Sequence, residues 1–140
     1  MEFEGEYLKG ERYGKGKEYY IFNGKLKYEG EYLNGEKNGK GKEYYDNGIL
    51  KFQGKYLNGK RWNGKGYNEK GEIDFEINEG NGKGKDYKNN GKLEYEGEYL
   101  NGDRNGIGKE YDFEGKLKYE GEYLNGKRNG KGKEYYSNGK

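Results

Sequence analysis

The glycines near the end of the chain have the spacing of a phosphate-binding loop. Gly121, Gly126 and Lys127 match the pattern G-x-x-x-x-G-K, in which backbone N–H groups cradle phosphates. A nucleotide site would also need Ser or Thr at the next position to bind magnesium, and Arg128 stands there instead. The segment has the pattern of a β-hairpin rather than that of a strand, a loop and a helix. We therefore interpret these glycines as turn residues and expect no cofactor.

Paired carboxylates could act as the general acid and base of a hydrolytic enzyme. Glu29 and Glu31 have a suitable spacing, but the same pair recurs at residues 4 and 6, 96 and 98, and 120 and 122. A solvated strand face that is repeated along the chain explains this recurrence. Because the chain also contains no His, Cys or Thr, we predict that it is not an enzyme and has neither catalytic residues nor a metal site.

Lysines interleaved with tyrosines could bind nucleic acid, since lysines neutralise phosphates and aromatic rings stack on bases. Glutamates alternate with the lysines, however, and would repel phosphates. The formal net charge is only +2, which is not the basic footprint of a nucleic-acid-binding protein. We therefore expect no nucleic-acid partner.

The overall composition is polar for a folded protein, with 28% hydrophobic and 39% charged residues. Such values usually indicate disorder, but aromatic residues reach 17% of the chain, including 18 tyrosines. The first residues lack the basic and apolar regions of a signal peptide. No stretch approaches the roughly 20 apolar residues of a membrane span. We expect a folded protein that is cytoplasmic, or peripheral to a membrane.

A sequence repeat of 20 to 25 residues occurs six times, which is typical of a repeat architecture. Its copies begin with the aromatic residues Phe3, Tyr28, Phe52, Phe75, Tyr95 and Tyr119. In the second copy Tyr28, Gly30 and Tyr32 alternate with charged residues, as in a half-buried strand. Asn34-Gly35 is a strong hairpin signal, and residues 40–45 return as a second strand. The sequence predicts one domain over residues 1–140: an all-β, elongated, single-layer antiparallel meander of about six hairpins.

In five of the six copies a tyrosine follows the Gly-x-Gly by three residues, and the residue after it varies. The first slot holds Tyr19, Tyr44, Tyr87, Tyr111 and Tyr135, and the second holds Tyr20, Tyr45, Lys88, Asp112 and Tyr136. We predict that the tyrosines at the first position have a structural role and that the residues at the second position lie on the surface.

The order of aromatic and glycine residues resembles that of the MORN repeat family. Tyr28, Gly30, Gly35, Gly39 and Gly41 carry this pattern in the second copy. The stretches "NGKLKYEGEYLNGK" and "EYYSNGK" also resemble the MORN-variant repeats of YwqK-family proteins. The resemblance implies a non-catalytic scaffold or protein-binding module. Binding to phospholipids, or to a toxin as an antitoxin or immunity-type protein, are alternatives that it also offers.

We predict that a protein or peptide partner binds across the aromatic face, because a one-layer sheet leaves one face poorly covered. The candidate contact residues are Trp62, Arg61, Tyr32, Tyr56, Tyr99 and Tyr123. Trp62 is the only Trp and stands in a loop with one extra residue, which it could instead simply cover. The irregular stretch 60–90 is predicted to be a specificity site or a bend in the sheet.

Anionic phospholipid headgroups are the rival partner. They would bind basic residues at one edge of the sheet: Arg12, Lys37, Arg61, Arg104 and Arg128. These residues could also serve only as solubilising turn residues. The open strand at residues 131–136 further predicts a weak homodimer, because an unpaired edge strand tends to pair with another chain.

Overall fold

The computed structural model describes residues 3–136, which form twelve antiparallel strands, two for each copy of the sequence repeat. The strands are β1 (Phe3–Leu8), β2 (Glu11–Tyr19), β3 (Leu26–Leu33), β4 (Glu36–Tyr44), β5 (Leu50–Leu57), β6 (Lys60–Tyr67), β7 (Ile73–Ile77), β8 (Gly82–Tyr87), β9 (Leu93–Leu100), β10 (Asp103–Tyr111), β11 (Leu117–Leu124) and β12 (Lys127–Glu134). The predicted all-β meander is confirmed. Within residues 3–136 no helix is long and apolar enough to cross a membrane. The expected domain also includes residues 1–2 and 137–140, which lie outside the described range.

Every hairpin closes with a two-residue turn in which both residues have positive φ. In the second copy these residues are Asn34 (φ 51°) and Gly35 (φ 83°). This backbone matches the right-handed twist of the flanking strands, and Asn and Gly adopt it at little cost. The same pair of positive φ values recurs in the other five hairpins, at residues 9–10, 58–59, 79–80, 101–102 and 125–126.

The second strand of a copy contains the irregularity that the glycine spacing suggests. Gly30 on β3 lies opposite Gly41 on β4, and Tyr32 lies opposite Lys37. β4 therefore uses four residues where β3 uses two, and the extra residues form a bulge beside the turn.

The meander differs from the prediction in one respect, because its hydrogen-bonded ladder is interrupted. Strands β1–β7 form one sheet and β8–β12 form a second, each in sequence order. Between β7 and β8 the backbone is paired only at the bridge between Asn78 and Asn81 at their turn. The fourth copy lacks the Tyr-Leu pair and the glycine that follows its opening aromatic residue in the other copies. Its two strands still pair outward, β7 with β6 and β8 with β9, so the interruption lies within this shortened hairpin.

Packing and turn contacts nevertheless continue across this interruption. Phe75 on β7 lies against β6 and β8, and a Cβ atom on Gly84 of β8 would be 3.2 Å from its ring. At the turns, the Gly80 N–H donates to the Trp62 carbonyl at 2.7 Å, and Gly102 N–H donates to the Gly80 carbonyl at 2.9 Å. The irregular stretch is thus the junction of the two sheets. Whether it also sets specificity stays a prediction.

The core consists of the opening aromatic rings and the tyrosines that precede the turns. Tyr28, Phe52 and Tyr95 are fully buried. Each such ring lies flat over glycines of its own and the next strand: a Cβ atom on Gly30 or Gly41 would collide with the Tyr28 side chain. The rings meet edge to face, as Tyr28 does with Tyr32 at 5.5 Å between centroids. The glycines thus allow the sheet to bury a single layer of aromatic rings on one of its faces.

The expectation that the second tyrosine slot is surface is wrong in the first two copies. Tyr20 is 4% exposed and Tyr45 is 1% exposed. The Tyr20 hydroxyl donates to the Tyr44 carbonyl, and the Tyr45 hydroxyl donates to the Tyr67 carbonyl at 2.6 Å. Burial raises the pKa of Tyr20 to about 12. These tyrosines pack one copy against the next, a contact that periodicity within one strand does not reveal.

Replacing Lys88 with tyrosine is expected to stabilise the protein. Lys88 occupies the tyrosine slot of the fourth copy, where a cleft of about 330 Å³ lies beside Tyr111 and Phe113. By analogy with Tyr45, the new ring would fill this cleft and its hydroxyl would reach the Tyr111 carbonyl. We expect a gain of about 1 kcal/mol in thermal unfolding experiments. Lys88→Gln is the control, since it removes the charge without filling the cleft, and an equal gain there would contradict the packing argument.

Self-association stays a prediction, and it concerns β12, which is exposed along its whole length. A two-fold antiparallel pair centred on Gly132 would place Lys131 opposite Lys133, and like charges in this position repel. We therefore expect only a weak dimer in sedimentation experiments over a wide concentration range. Lys131→Glu should strengthen it by placing opposite charges across the pair. A wild-type protein and a variant that both remain monomeric would contradict this prediction.

Candidate functional site

The aromatic face is closed by hydrogen bonds from its own tyrosines. The hydroxyls of Tyr32, Tyr56 and Tyr123 donate to the carboxylates of Glu18, Glu43 and Glu110. Burial, together with these carboxylates, raises the pKa values of Tyr32 and Tyr123. The three tyrosines are 4% exposed, so they form the core of the sheet and offer little surface to a partner.

Cationic side chains cover the opening ring in five copies. The Arg12 guanidinium lies 4.2 Å from the centroid of Phe3, and the Lys37 ammonium lies 4.5 Å from that of Tyr28. The remaining three pairs are Arg61 over Phe52, Arg104 over Tyr95 and Arg128 over Tyr119, at 4.8, 4.3 and 4.3 Å. Such cation–π contacts are favourable where they exclude water. The basic residues expected to bind lipid headgroups are therefore packed against the sheet.

Arg61 is the least exposed of the four arginines among these cations. Its Nε and Nη2 donate to Glu43 at 2.9 and 3.0 Å, and its Nη1 lies 3.8 Å from Asp86. Burial alone would raise the pKa of Glu43, but the charge and hydrogen bonds of Arg61 lower it well below its usual range. Arg61 is on β6 of the first sheet and Asp86 is on β8 of the second, so this pair links the two sheets. Asp86 also pairs with Arg104 on β10 at 3.5 Å.

Two further ion pairs cross the junction between the sheets. Lys60 on β6 pairs with Asp103 on β10 at 2.9 Å, and Asp74 on β7 pairs with Lys85 on β8 at 3.1 Å. Asp74 also accepts a hydrogen bond from the Tyr87 hydroxyl. Side chains thus hold the two sheets together where the backbone ladder is absent.

The structure places the predicted contact residues mainly in structural roles. Tyr99 is half-buried and meets the Tyr95 ring edge to face at 5.5 Å. Trp62 is also half-buried, and a Cβ atom on Gly80 would lie 2.7 Å from its ring. Trp62 therefore covers the turn of the short fourth hairpin. The expectation of an open aromatic face is wrong, because the recurring Arg, Lys and Glu slots close it.

The opposite, polar face is open and concave. It forms a trough of about 1140 Å³ across β1–β5, lined by charged side chains and by glycine backbone. Charges alternate across its strands: Lys17 lies opposite Glu4 on β1 and Glu29 on β3, and Glu29 lies opposite Lys42 on β4. Tyr44 lies at the far end of these strands and donates to Glu29 at 3.0 Å.

A row of exposed leucines borders the polar face beside the hairpin turns. Each leucine directly follows a tyrosine of the aromatic face, so its side chain points to the opposite face. The row consists of Leu8, Leu33, Leu57, Leu100 and Leu124, which are 39–52% exposed. None of these leucines is among the contact residues predicted from the sequence. Their position one residue after an inward-facing tyrosine was the signal that could have identified them.

Family models agree with this repeat architecture. A model described as MORN repeat matches residues 3–21, 28–49 and 119–140, and one described as MORN repeat variant matches residues 81–101 and 104–125. The chain belongs to the MORN repeat family. MORN repeats are a non-catalytic repeat type that commonly serves as a protein- or membrane-binding scaffold. No curated protein matches this MORN-repeat chain significantly. Residues 50–80, which contain the third copy and the junction, match neither family model.

Proposed function

We propose that this MORN-repeat protein is a non-catalytic scaffold that binds a segment of a protein partner along its polar face. The observation that carries this proposal is the open trough with a row of exposed leucines at its edge. The opposite face is filled by its own rings, cations and carboxylates. A regular row of apolar side chains beside charged groups is typical of a protein-interaction surface.

The repeat geometry suits an elongated ligand better than a compact one. Leu8, Leu33 and Leu57 are each separated from the next by two strands, or about 10 Å, as are Leu100 and Leu124 in the second sheet. A partner that crosses the strands would meet one leucine in every copy except the fourth, and each contact would add apolar area. A segment lying along this edge could therefore gain affinity from several equivalent weak contacts.

Partner capture with matched variants tests the proposed surface. The triple variant Leu33→Ser, Leu57→Ser, Leu100→Ser should lose the proteins that the wild type captures from an extract of its source cells. The control triple Ile21→Ser, Phe22→Ser, Phe113→Ser changes residues that are 69–79% exposed in the loops between copies. Equal capture by the leucine triple, or loss in the control alone, would show that the partner binds elsewhere.

The lipid alternative also stays a prediction, and vesicle flotation tests it separately. Binding through basic side chains should require anionic lipid and should weaken as salt is raised. Because the five predicted cations cover aromatic rings, the structure gives this alternative no additional support.

A further inference from the structure

The third copy departs from the charge alternation of the polar face. The first strands of four other copies carry Glu on both sides of the central glycine, as at Glu29 and Glu31. In β5 the corresponding residues are Gln53 and Lys55. Relative to the other copies, β5 lacks two carboxylates and has gained one ammonium group.

This change leaves four lysines with no carboxylate among them on the floor of β4–β6. Lys40 lies directly opposite Lys55, and Gln53 lies between Lys42 and Lys65. We call Lys40, Lys42, Lys55 and Lys65 the lysine cluster. Three of them are exposed and Lys42 is half-buried. Like charges directly opposite one another destabilise a sheet, so the pair of Lys40 and Lys55 weakens the contact between β4 and β5 unless an anion neutralises it.

We propose that the lysine cluster binds a short acidic run in an extended segment of a protein partner. This proposal rests on the proposed function and adds the chemistry of the ligand. Lys40, Lys42 and Lys55 line the trough itself, where an extended chain can reach them. The cluster spans three strands, or about 10 Å, which about three or four extended residues would cover.

The surroundings of the cluster favour a short acidic run over a continuous polyanion. Glu29 and Glu31 on β3 and Glu76 on β7 flank it on the same face, with Glu29 opposite Lys42 and Glu76 opposite Lys65. A nucleic acid strand or an anionic bilayer would extend beyond the lysines and meet these carboxylates. A peptide with a few consecutive acidic residues would contact the lysines alone.

The double variant Gln53→Glu, Lys55→Glu restores the charge pattern of the other copies and tests the proposal. The probe is a fluorescent peptide with a run of glutamates, and the same peptide with glutamines serves as the uncharged comparison. The double variant should bind the acidic peptide at least about tenfold more weakly, because charge pairing sets this affinity. Its melting temperature should rise, since the repulsion between Lys40 and Lys55 is removed. A simultaneous gain in stability and loss of binding cannot come from misfolding.

A charge-matched control separates the cluster from the net charge of the protein. Lys25→Glu, Lys70→Gln changes two exposed loop residues and lowers the net charge by the same three units. This control should bind the acidic peptide within about twofold of the wild type, since exposed charges beyond a Debye length are screened.

Three results would overturn the proposal: undiminished binding by the cluster variant, equal weakening by the control, or binding to anionic vesicles without binding to the peptide. The leucine triple should still bind the acidic peptide, because its substitutions leave the lysine cluster unchanged. A failure of the proposed function would appear as undiminished partner capture by the leucine triple, so the two failures are distinguishable.

Discussion

Arg61→Ala is expected to destabilise the protein by about 3–5 kcal/mol, the usual cost of leaving a buried charge without its partner. The side chains of Arg61 and Glu43 are 19% and 16% exposed, so water would compensate Glu43 only in part. The variant would also lose the contact with the Phe52 ring and the link to Asp86 across the junction. Chemical denaturation of the wild type and the variant measures the loss.

Arg128→Ala is the matched control for this prediction, because Arg128 occupies the same slot in the last copy. Arg128 also donates twice to a carboxylate, that of Glu110, and lies over an aromatic ring. It is more exposed, at 33%, and exposed ion pairs contribute only about 0–1 kcal/mol. Equal losses in the two variants would show that burial does not decide the contribution of this pair.

The pH dependence of stability should also distinguish the wild type from Arg61→Ala. The pKa of Glu43 is lowered in the folded state, so its pairing stabilises the protein above the ordinary glutamate pKa of about 4.3. This contribution is lost as the pH falls below that value, because the unfolded chain then binds the proton first. The stability difference between the wild type and Arg61→Ala should therefore narrow in acid. A difference that stays constant down to low pH would contradict this assignment.

Gly97→Val is expected to destabilise the protein by about 3 kcal/mol, at the upper end of the usual cost of overpacking. A Cβ atom on Gly97 would lie 2.6 Å from the Tyr95 hydroxyl, from the Ile107 carbonyl and from the Gly108 Cα. The Tyr95 ring would have to leave its position over the two glycines and give up its contacts with Tyr99 and Tyr123. This loss should outweigh the better strand propensity of valine, and thermal unfolding measures it.

Lys109→Val is the control for the glycine prediction. Lys109 follows Gly108 on β10, and its exposed side chain is on the polar face. This variant introduces valine one residue after Gly108, the partner of Gly97 across the strands. The side chain there meets no ring. We expect a change within about 0.5 kcal/mol, as for most surface substitutions. If both valine variants unfold at the same temperature, the glycines are not required for ring packing.

The strands and turns follow from local sequence features. Alternation of Tyr28, Gly30 and Tyr32 with charged residues predicts a strand with one buried face, and Asn34-Gly35 predicts the turn, because few residues adopt two successive positive φ values. Each of these signals lies within about ten residues. Their six-fold recurrence predicted the number of hairpins, and the order of aromatic and glycine residues indicated the family.

The closed aromatic face could not be predicted from the same features. A period-two pattern shows that Tyr32 and Tyr56 share a face, but it does not show what covers that face. The covering groups come from other strands: Glu43 on β4 accepts from Tyr56 on β5 and from Arg61 on β6. Candidate contact residues chosen for ring type alone were therefore core residues, and the exposed leucines beside them were missed.

The sequence by itself determined the hairpin unit, its turn and the glycine positions, since these depend on backbone conformation and on contacts between neighbouring strands. Only the tertiary structure decided which face is open. The register between copies places Tyr20 and Tyr45 in the core, closes one face with cations and carboxylates, and brings Lys40 opposite Lys55. Bulges shift this register by one residue between consecutive copies, as at Glu18/Tyr19 and Glu43/Tyr44, and such a shift moves a side chain to the other face. The separation of charges into pairs and a cluster is therefore a property of the assembled sheet.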